Sequence, residues 1–237
     1  MIEYTYRDDV TVELTDHLAT DEGVVRRARV STIGRNHDVE SDPIKDAGLI
    51  NYLVRERHGS PFEHNLMTFY IEAPIFVFRE LATHRIGVSI NEESGRYREL
   101  RPIFYIPGPD RKLVQQGKPG SYEFVEGNKA QHDIVAHESK SAYREAYRRY
   151  LAMLEAGIAR EVAREVLPVG LFSSAYISFN SRSLMHFLGL RTKHEEATFK
   201  SSPQREIEML AEKMEAAWAD LMPWTHECFN RHGRVAP

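Results

Sequence analysis

The stretch from Asn65 to Glu72 constrains the fold most tightly. Leu66, Thr68 and Tyr70 alternate with Met67, Phe69 and Ile71, which predicts a strand with an apolar majority on both faces. Its flanks are punctuated. His58-Gly59-Ser60-Pro61 stops a helix expected from Ile44 to Arg57, and Pro74 suits the first turn of a helix from Ile75 to about His84. A helix–turn–strand–helix succession is therefore expected in the first third of the chain.

The remaining pattern adds helices and strands without a regular βαβ rhythm. Thr11-Val12-Glu13-Leu14 reads as a strand, and Asp21 to Val30 as a helix with Asp21 as its cap. Ile103 to Ile106 and Leu171 to Asn180 read as strands. Helices are expected over Lys129 to Glu155, Ala159 to Leu167, Ser183 to Leu190, and Pro203 to about Met222, with Gly157 breaking the longest. Arg85 to Arg101 lacks a period and reads as a structured polar loop, and residues 110–128 as an exposed excursion. The expectation is a single domain over residues 1–237, α/β in content and α+β-like in arrangement, with mixed helices around a mainly antiparallel central sheet.

Bulk chemistry excludes several classes. The chain has 237 residues and a net charge of −4, against the positive surplus of a general nucleic-acid binder. One cysteine, Cys228, rules out an internal disulfide framework. Glu227 stands beside it and no activating base is apparent, so it reads as a packing residue. The histidines have no metal-ligand spacing, and no metal is assigned. With no basic-then-apolar leader and no membrane-length apolar run, a soluble cytoplasmic protein is expected.

Chemistry concentrates between His84 and Arg96. His84, Arg85, Ser89, Asn91, Glu92, Ser94, Gly95 and Arg96 fall in this short stretch. Ser94 hydroxyl, Gly95 backbone N–H and Arg96 guanidinium suit a nucleotide phosphate. The competing reading is a solvated loop, although long polar loops in compact domains are more often functional. Arg160 and Arg164 share a helix face, where Glu161 and Glu165 offer a plain ion-pair ladder instead. Arg182 and His186 are four apart on an otherwise apolar helix, where satisfied core groups are the bland alternative. Arg191 follows that helix and would also complement its C-terminal dipole.

Thr83-His84-Arg85, eight residues, then Ser94-Gly95-Arg96-Tyr97 resembles the signature of the flavin-dependent thymidylate synthases, Arg-His-Arg, seven residues, then Ser. Here threonine replaces the first arginine and the spacer is one residue longer. Gly59-Ser60-Pro61-Phe62-Glu63-His64, Ala73-Pro74-Ile75-Phe76-Val77, Arg160-Glu161-Val162-Ala163-Arg164, Leu167-Pro168, Asn180-Ser181-Arg182-Ser183-Leu184-Met185 and Leu190-Arg191 are similar to further segments of that family, from about Val10 to Trp224.

The resemblance implies the thymidylate-synthase-complementing-protein fold and reductive methylation of dUMP to dTMP without a cysteine nucleophile. It implies FAD as cofactor, NADPH and 5,10-methylenetetrahydrofolate as co-substrates, and a homotetramer with shared active sites. Ser60, Thr83, His84, Arg85, Glu92, Asn180, Ser181, Arg182 and His186 would contact the flavin. Glu80, Leu81, Ala82, Thr83, Glu92, Glu93, Ser94, Gly95, Arg96, Arg164 and Arg191 would contact dUMP, and Arg191 would be the catalytic charge beside the uracil ring. Thr83 motivates an alternative, a non-catalytic flavin- or nucleotide-binding homologue.

Overall fold

The computed structural model describes residues 2–34, 41–118 and 121–237. In chain order it runs β1 (Thr5–Arg7), β2 (Thr11–His17), α1 (Asp21–Ile33), α2 (Pro43–Arg55), β3 (Met67–Pro74), α3 (Ile75–Leu81), β4 (Val88–Glu92), β5 (Ile103–Tyr105), β6 (Val114–Lys118), β7 (Ser121–Val125), α4 (Lys129–Glu155), α5 (Arg160–Ala163), β8 (Phe172–Phe179), α6 (Ser181–Arg191), α7 (Arg205–Leu221) and α8 (Pro223–Arg231). Short 3₁₀ turns follow Gly59 and Ala163.

A four-stranded sheet has the order β2-β3-β8-β4. Its neighbours run antiparallel, because residue numbers fall on one strand as they rise on the next. Thr15 Oγ1 donates to Thr68 O (3.1 Å) and Leu18 N to Leu66 O (2.8 Å). Thr68 meets Ser178 at 2.9 Å and Tyr70 meets Tyr176 at 5.4 Å. Asn180 N donates to Gly87 O (3.4 Å) and Glu93 N to Ser174 O (2.8 Å). The expected antiparallel sheet is present, and β3 buries Met67, Phe69, Ile71 and Ala73.

Several expectations need correction. The polar stretch from Arg85 to Arg101 contains β4, an edge strand whose residues are mostly exposed and whose only apolar alternation, Val88 and Ile90, is too short to read as a strand. The excursion at 110–128 holds the β6–β7 hairpin, with residues 119 and 120 of that expectation outside the described residues. β1 pairs parallel with β5 and is too short to read from sequence. The first helix is capped by Thr20, whose hydroxyl accepts from Gly23 N (3.0 Å). Asp21 instead accepts from Trp224 N, Thr225 N and Thr225 Oγ1, supplying the cap that α8 lacks. Proline at the start of α8 ends the preceding helix at Leu221 and opens this further one.

The chain divides into two compact units of three segments each: Met1–Val10, Glu72–Phe78 and Glu92–Ser174, and Thr11–Ile71, Arg79–Asn91 and Ala175–Pro237. In the first, α4 begins with a capping box of Asn128 and Gln131. It buries Tyr147 and Tyr150 with Phe104 and Leu171, and Tyr143 stacks on Phe104 at 4.8 Å. Tyr147 OH donates to Leu100 O (2.8 Å) while Tyr150 OH accepts from Leu100 N (3.3 Å). Two tyrosines thus hold both backbone groups of a residue close to Arg96. In the second unit the core includes Val24, Ile50, Phe187, Leu210, Met214, Trp218 and Phe229 from α1, α2, α6, α7 and α8. Among the described residues, no helix is long and apolar enough to cross a membrane.

Candidate functional site

The expected site residues fall into two groups, one in each unit. In the first unit, Ser94, Gly95, Arg96 and Arg164 come together. Ser94 opens a tight turn: its carbonyl accepts from Tyr97 N (3.1 Å) and its hydroxyl from Arg96 N (3.3 Å). Gly95 is buried, and a Cβ there would lie 2.9 Å from Leu100 Cδ1 and 3.2 Å from Arg164 Cδ. A side chain at this position would have to displace the Leu100 and Arg164 side chains.

The cations here are distributed unevenly. Arg96 Nε pairs with Glu161 at 2.7 Å, so the ladder of Arg160 and Arg164 with Glu161 and Glu165 does not form. Among the described residues, Arg164 has no carboxylate partner. Arg164 passes close to Gly95, and a guanidinium without a carboxylate partner next to a serine–glycine turn has the donor chemistry that a phosphate needs. Glu92 accepts from Ser173 Oγ (2.5 Å) and Glu93 lies 3.4 Å from Arg98, so both carboxylates have protein partners.

In the second unit, α3 and α6 bring Glu80, His84, His186 and Arg191 together. Thr83, in the signature's first position, closes α3: its N–H (3.1 Å) and hydroxyl (2.7 Å) both donate to Glu80 O. Arg191 Nε donates to His84 Nε2 (3.1 Å), and Nη1 pairs with Glu80 Oε2 (3.1 Å). The His84 ring is edge-on to Phe187 at 4.9 Å and to His186 at 6.3 Å. Burial, helped by the Arg191 and His186 charges, lowers the His84 pKa to about 4. His84 is therefore neutral at pH 7, with its proton on Nδ1 and its Nε2 lone pair turned to Arg191.

The other expected flavin contacts lie on the same unit. Asn180 caps α6 by accepting from Ser183 N (2.8 Å). Ser181 is fully buried and donates to Asn65 Oδ1 (3.0 Å), so its hydroxyl serves the interior. Arg182 and His186 are exposed on α6, not core groups. Arg182 donates to Pro237 O (2.6 Å) and pairs with Glu63. Leu81 is buried, while Ala82 and Arg85 are exposed.

One feature escaped the sequence reading. A cavity of about 950 Å³ in the second unit is lined by Arg26, Arg27, Arg29, Ser31, Ser60 and His64 among others. Arg29 is neutralised by Asp46 at 2.5 Å. Arg26 and Arg27 have no carboxylate partner among the described residues, and burial together with Arg26 lowers the Arg27 pKa. Two adjacent uncompensated guanidiniums in a cavity of ligand size fit a phosphorylated cofactor. The arginine run was visible in sequence, but its convergence on Ser60 was not. Cys228 lies outside both groups, and burial pushes its thiol up to about 11.

Comparisons with known proteins converge on one family. Residues 13–224 match the family model described as thymidylate synthase complementing protein. The chain is 63% identical to the flavin-dependent thymidylate synthase of Streptomyces avermitilis, covering 98% of this chain and 96% of that one. It is 52% identical to the flavin-dependent thymidylate synthase of Tropheryma whipplei strain TW08/27, over 100% of this chain and 99% of that one. Among solved structures, the UMP/dUMP methylase PolB of Streptomyces cacaoi bound with 5-Br dUMP superimposes with a TM-score of 0.93 at 53% identity, covering 98% of this chain and 100% of that one. The same methylase bound with 5-Br UMP gives 0.91 at 52% identity, covering 99% of each chain.

Proposed function

The chain belongs to the flavin-dependent thymidylate synthases, and on that premise we propose that it converts dUMP to dTMP, with 5,10-methylenetetrahydrofolate as carbon donor and NADPH-reduced FAD as hydride source. The observation that carries this reading is Arg191, oriented by a neutral His84 and by Glu80 while its Nη2 stays unspent among the described residues. A guanidinium beside the uracil stabilises negative charge on the ring and enriches C5 for attack on the one-carbon unit. No thiol adduct is then required, in keeping with the raised pKa of Cys228. Ser94, Gly95 and Arg164 hold the nucleotide phosphate. Arg26, Arg27 and Ser60 hold the phosphates of FAD, and Asn180, Arg182 and His186 steady its remainder.

The test is dUMP-dependent NADPH oxidation with methylenetetrahydrofolate by the flavin-loaded protein, with dTMP as product. NADPH oxidation indifferent to dUMP would overturn the reading. The solved methylase structures with both 5-Br UMP and 5-Br dUMP favour a second substrate, UMP. Competition between UMP and dUMP for methylation measures that preference directly.

The active form is read as a homotetramer of one-domain chains with shared sites. Ile86 at 90% and Tyr97 at 78% exposure, in the signature segment, are large apolar groups that association would cover. Light scattering should return the mass of four chains.

A further inference from the structure

We propose that Glu80 reads the N3–H of the pyrimidine ring and so selects a uracil over a cytosine nucleotide. The inference rests on the reading of Arg191 as the charge beside the ring. Glu80 is fixed at both ends. Thr83 donates twice to its carbonyl, and Arg191 Nη1 holds Oε2 at 3.1 Å. Among the described residues, Glu80 Oε1 and Arg191 Nη2 have no partner.

The pair therefore presents one free acceptor beside one free donor. An ionised carboxylate only accepts and a guanidinium only donates. Uracil offers the matching edge, the C4 carbonyl next to N3–H. Arg191 meets the carbonyl and Glu80 accepts from N3–H. Cytosine held in the same register by its ribose and phosphate turns an N3 lone pair toward the carboxylate and an amino group toward the guanidinium. Both contacts are then inverted, and a site built around a hydrogen bond rejects strongly the analogue that cannot make it. A carboxylate on N3–H also draws the proton away from the ring, which adds to the enrichment of C5. The threonine that replaces the signature's first arginine acquires a role here, because it fixes the backbone of the reading residue.

The experiment measures binding of dUMP, dCMP and 3-methyl-dUMP to the flavin-loaded full chain and to its Glu80→Gln and Glu80→Ala variants. The native protein should prefer dUMP over both other nucleotides by about ten- to a hundredfold, the worth of one hydrogen bond to a charged group. In Glu80→Gln the amide can turn its N–H to a cytosine N3, and in Glu80→Ala the carboxylate is gone. The preference over dCMP should shrink to within about threefold in both variants; that over 3-methyl-dUMP should do so in Glu80→Ala, while Glu80→Gln keeps part of it because its amide oxygen still accepts from N3–H. A native protein that binds 3-methyl-dUMP as tightly as dUMP overturns the proposal without any variant. So does an equal weakening of all three nucleotides in the variants, the result expected if Glu80 only anchors Arg191. Native discrimination that collapses in the variants, without turnover of dUMP, supports Glu80 and overturns the synthase reading.

Discussion

At the scale of the residue, binding and turnover are separable. Arg164 lies beside Gly95 and has no carboxylate partner among the described residues, so its loss should remove a phosphate contact. Arg164→Ala should weaken dUMP about ten- to a hundredfold. Arg191→Ala should instead depress single-turnover methylation while the nucleotide still binds, and full methylation by that variant would refute its role. His84 makes a sharper case. Its pKa is lowered from 6.5 to about 4, so the folded state favours the neutral ring. Its contribution to stability is complete above 6.5 and is lost as pH falls from there through about 4. NMR titration should show the His84 ring neutral at pH 6, and a midpoint near 6.5 would break the tie to Arg191. Cys228→Ala should retain activity, because a buried thiol near 11 supplies no nucleophile. Part of this was legible in the sequence: Gly95 and Arg164, which the family resemblance assigned to one ligand, lie together, whereas spacing alone offered Arg164 an ion-pair ladder that does not form. Glu80 as partner of Arg191 was not, since the two stand far apart in the chain and meet only once α3 and α6 are in place.

At the scale of the element, the legible pieces were those with strong period or punctuation. α4 runs over Lys129–Glu155 as expected, with Gly157 at φ +79° ending it. β3 and β8 carried enough apolar alternation to be found. β4 did not, because Ser89, Ile90, Asn91 and Glu92 are exposed and its place on the sheet edge is set by partners distant in sequence. The turn that launches β4 is nevertheless exacting. Gly87 has φ +66°, and a Cβ there would sit 2.2 Å from Ser183 Oγ and 2.5 Å from Asn180 Nδ2. Ser183 Oγ donates to Ile86 O (2.6 Å), so yielding would cost that bond. Gly87→Ala should destabilise the protein by about 2 kcal/mol, measured by urea unfolding. It should also disturb the Asn180 end of α6, where flavin contacts are proposed. A variant as stable as the native chain would show that the turn relaxes freely.

At the scale of the whole molecule, the second unit is tied by a charge that no sequence pattern singles out. Arg234 is 4% exposed and grips Glu215 with two bonds, Nη1–Oε1 at 2.6 Å and Nη2–Oε2 at 2.7 Å. Nη2 also donates to Thr192 Oγ1 (2.7 Å), next to Arg191. The segment after α8 is thereby fastened to the end of α6 and to α7. Burial pushes the Glu215 carboxyl up, but hydrogen bonds from His226 and Arg234 outweigh it and hold it at about 2. Because this folded value lies below the ordinary 4.5, the stabilisation is complete above 4.5 and is lost as pH falls through about 2. Arg234→Met keeps much of the volume but leaves Glu215 buried without its main partner. The loss should be on the order of 3–5 kcal/mol at neutral pH. Since acid neutralises the stranded carboxyl, the stability gap between variant and native protein should narrow as pH drops from 4.5 toward 2. Urea unfolding at a series of pH values measures this gap, and a difference independent of pH would mean that the arginine acts by packing alone.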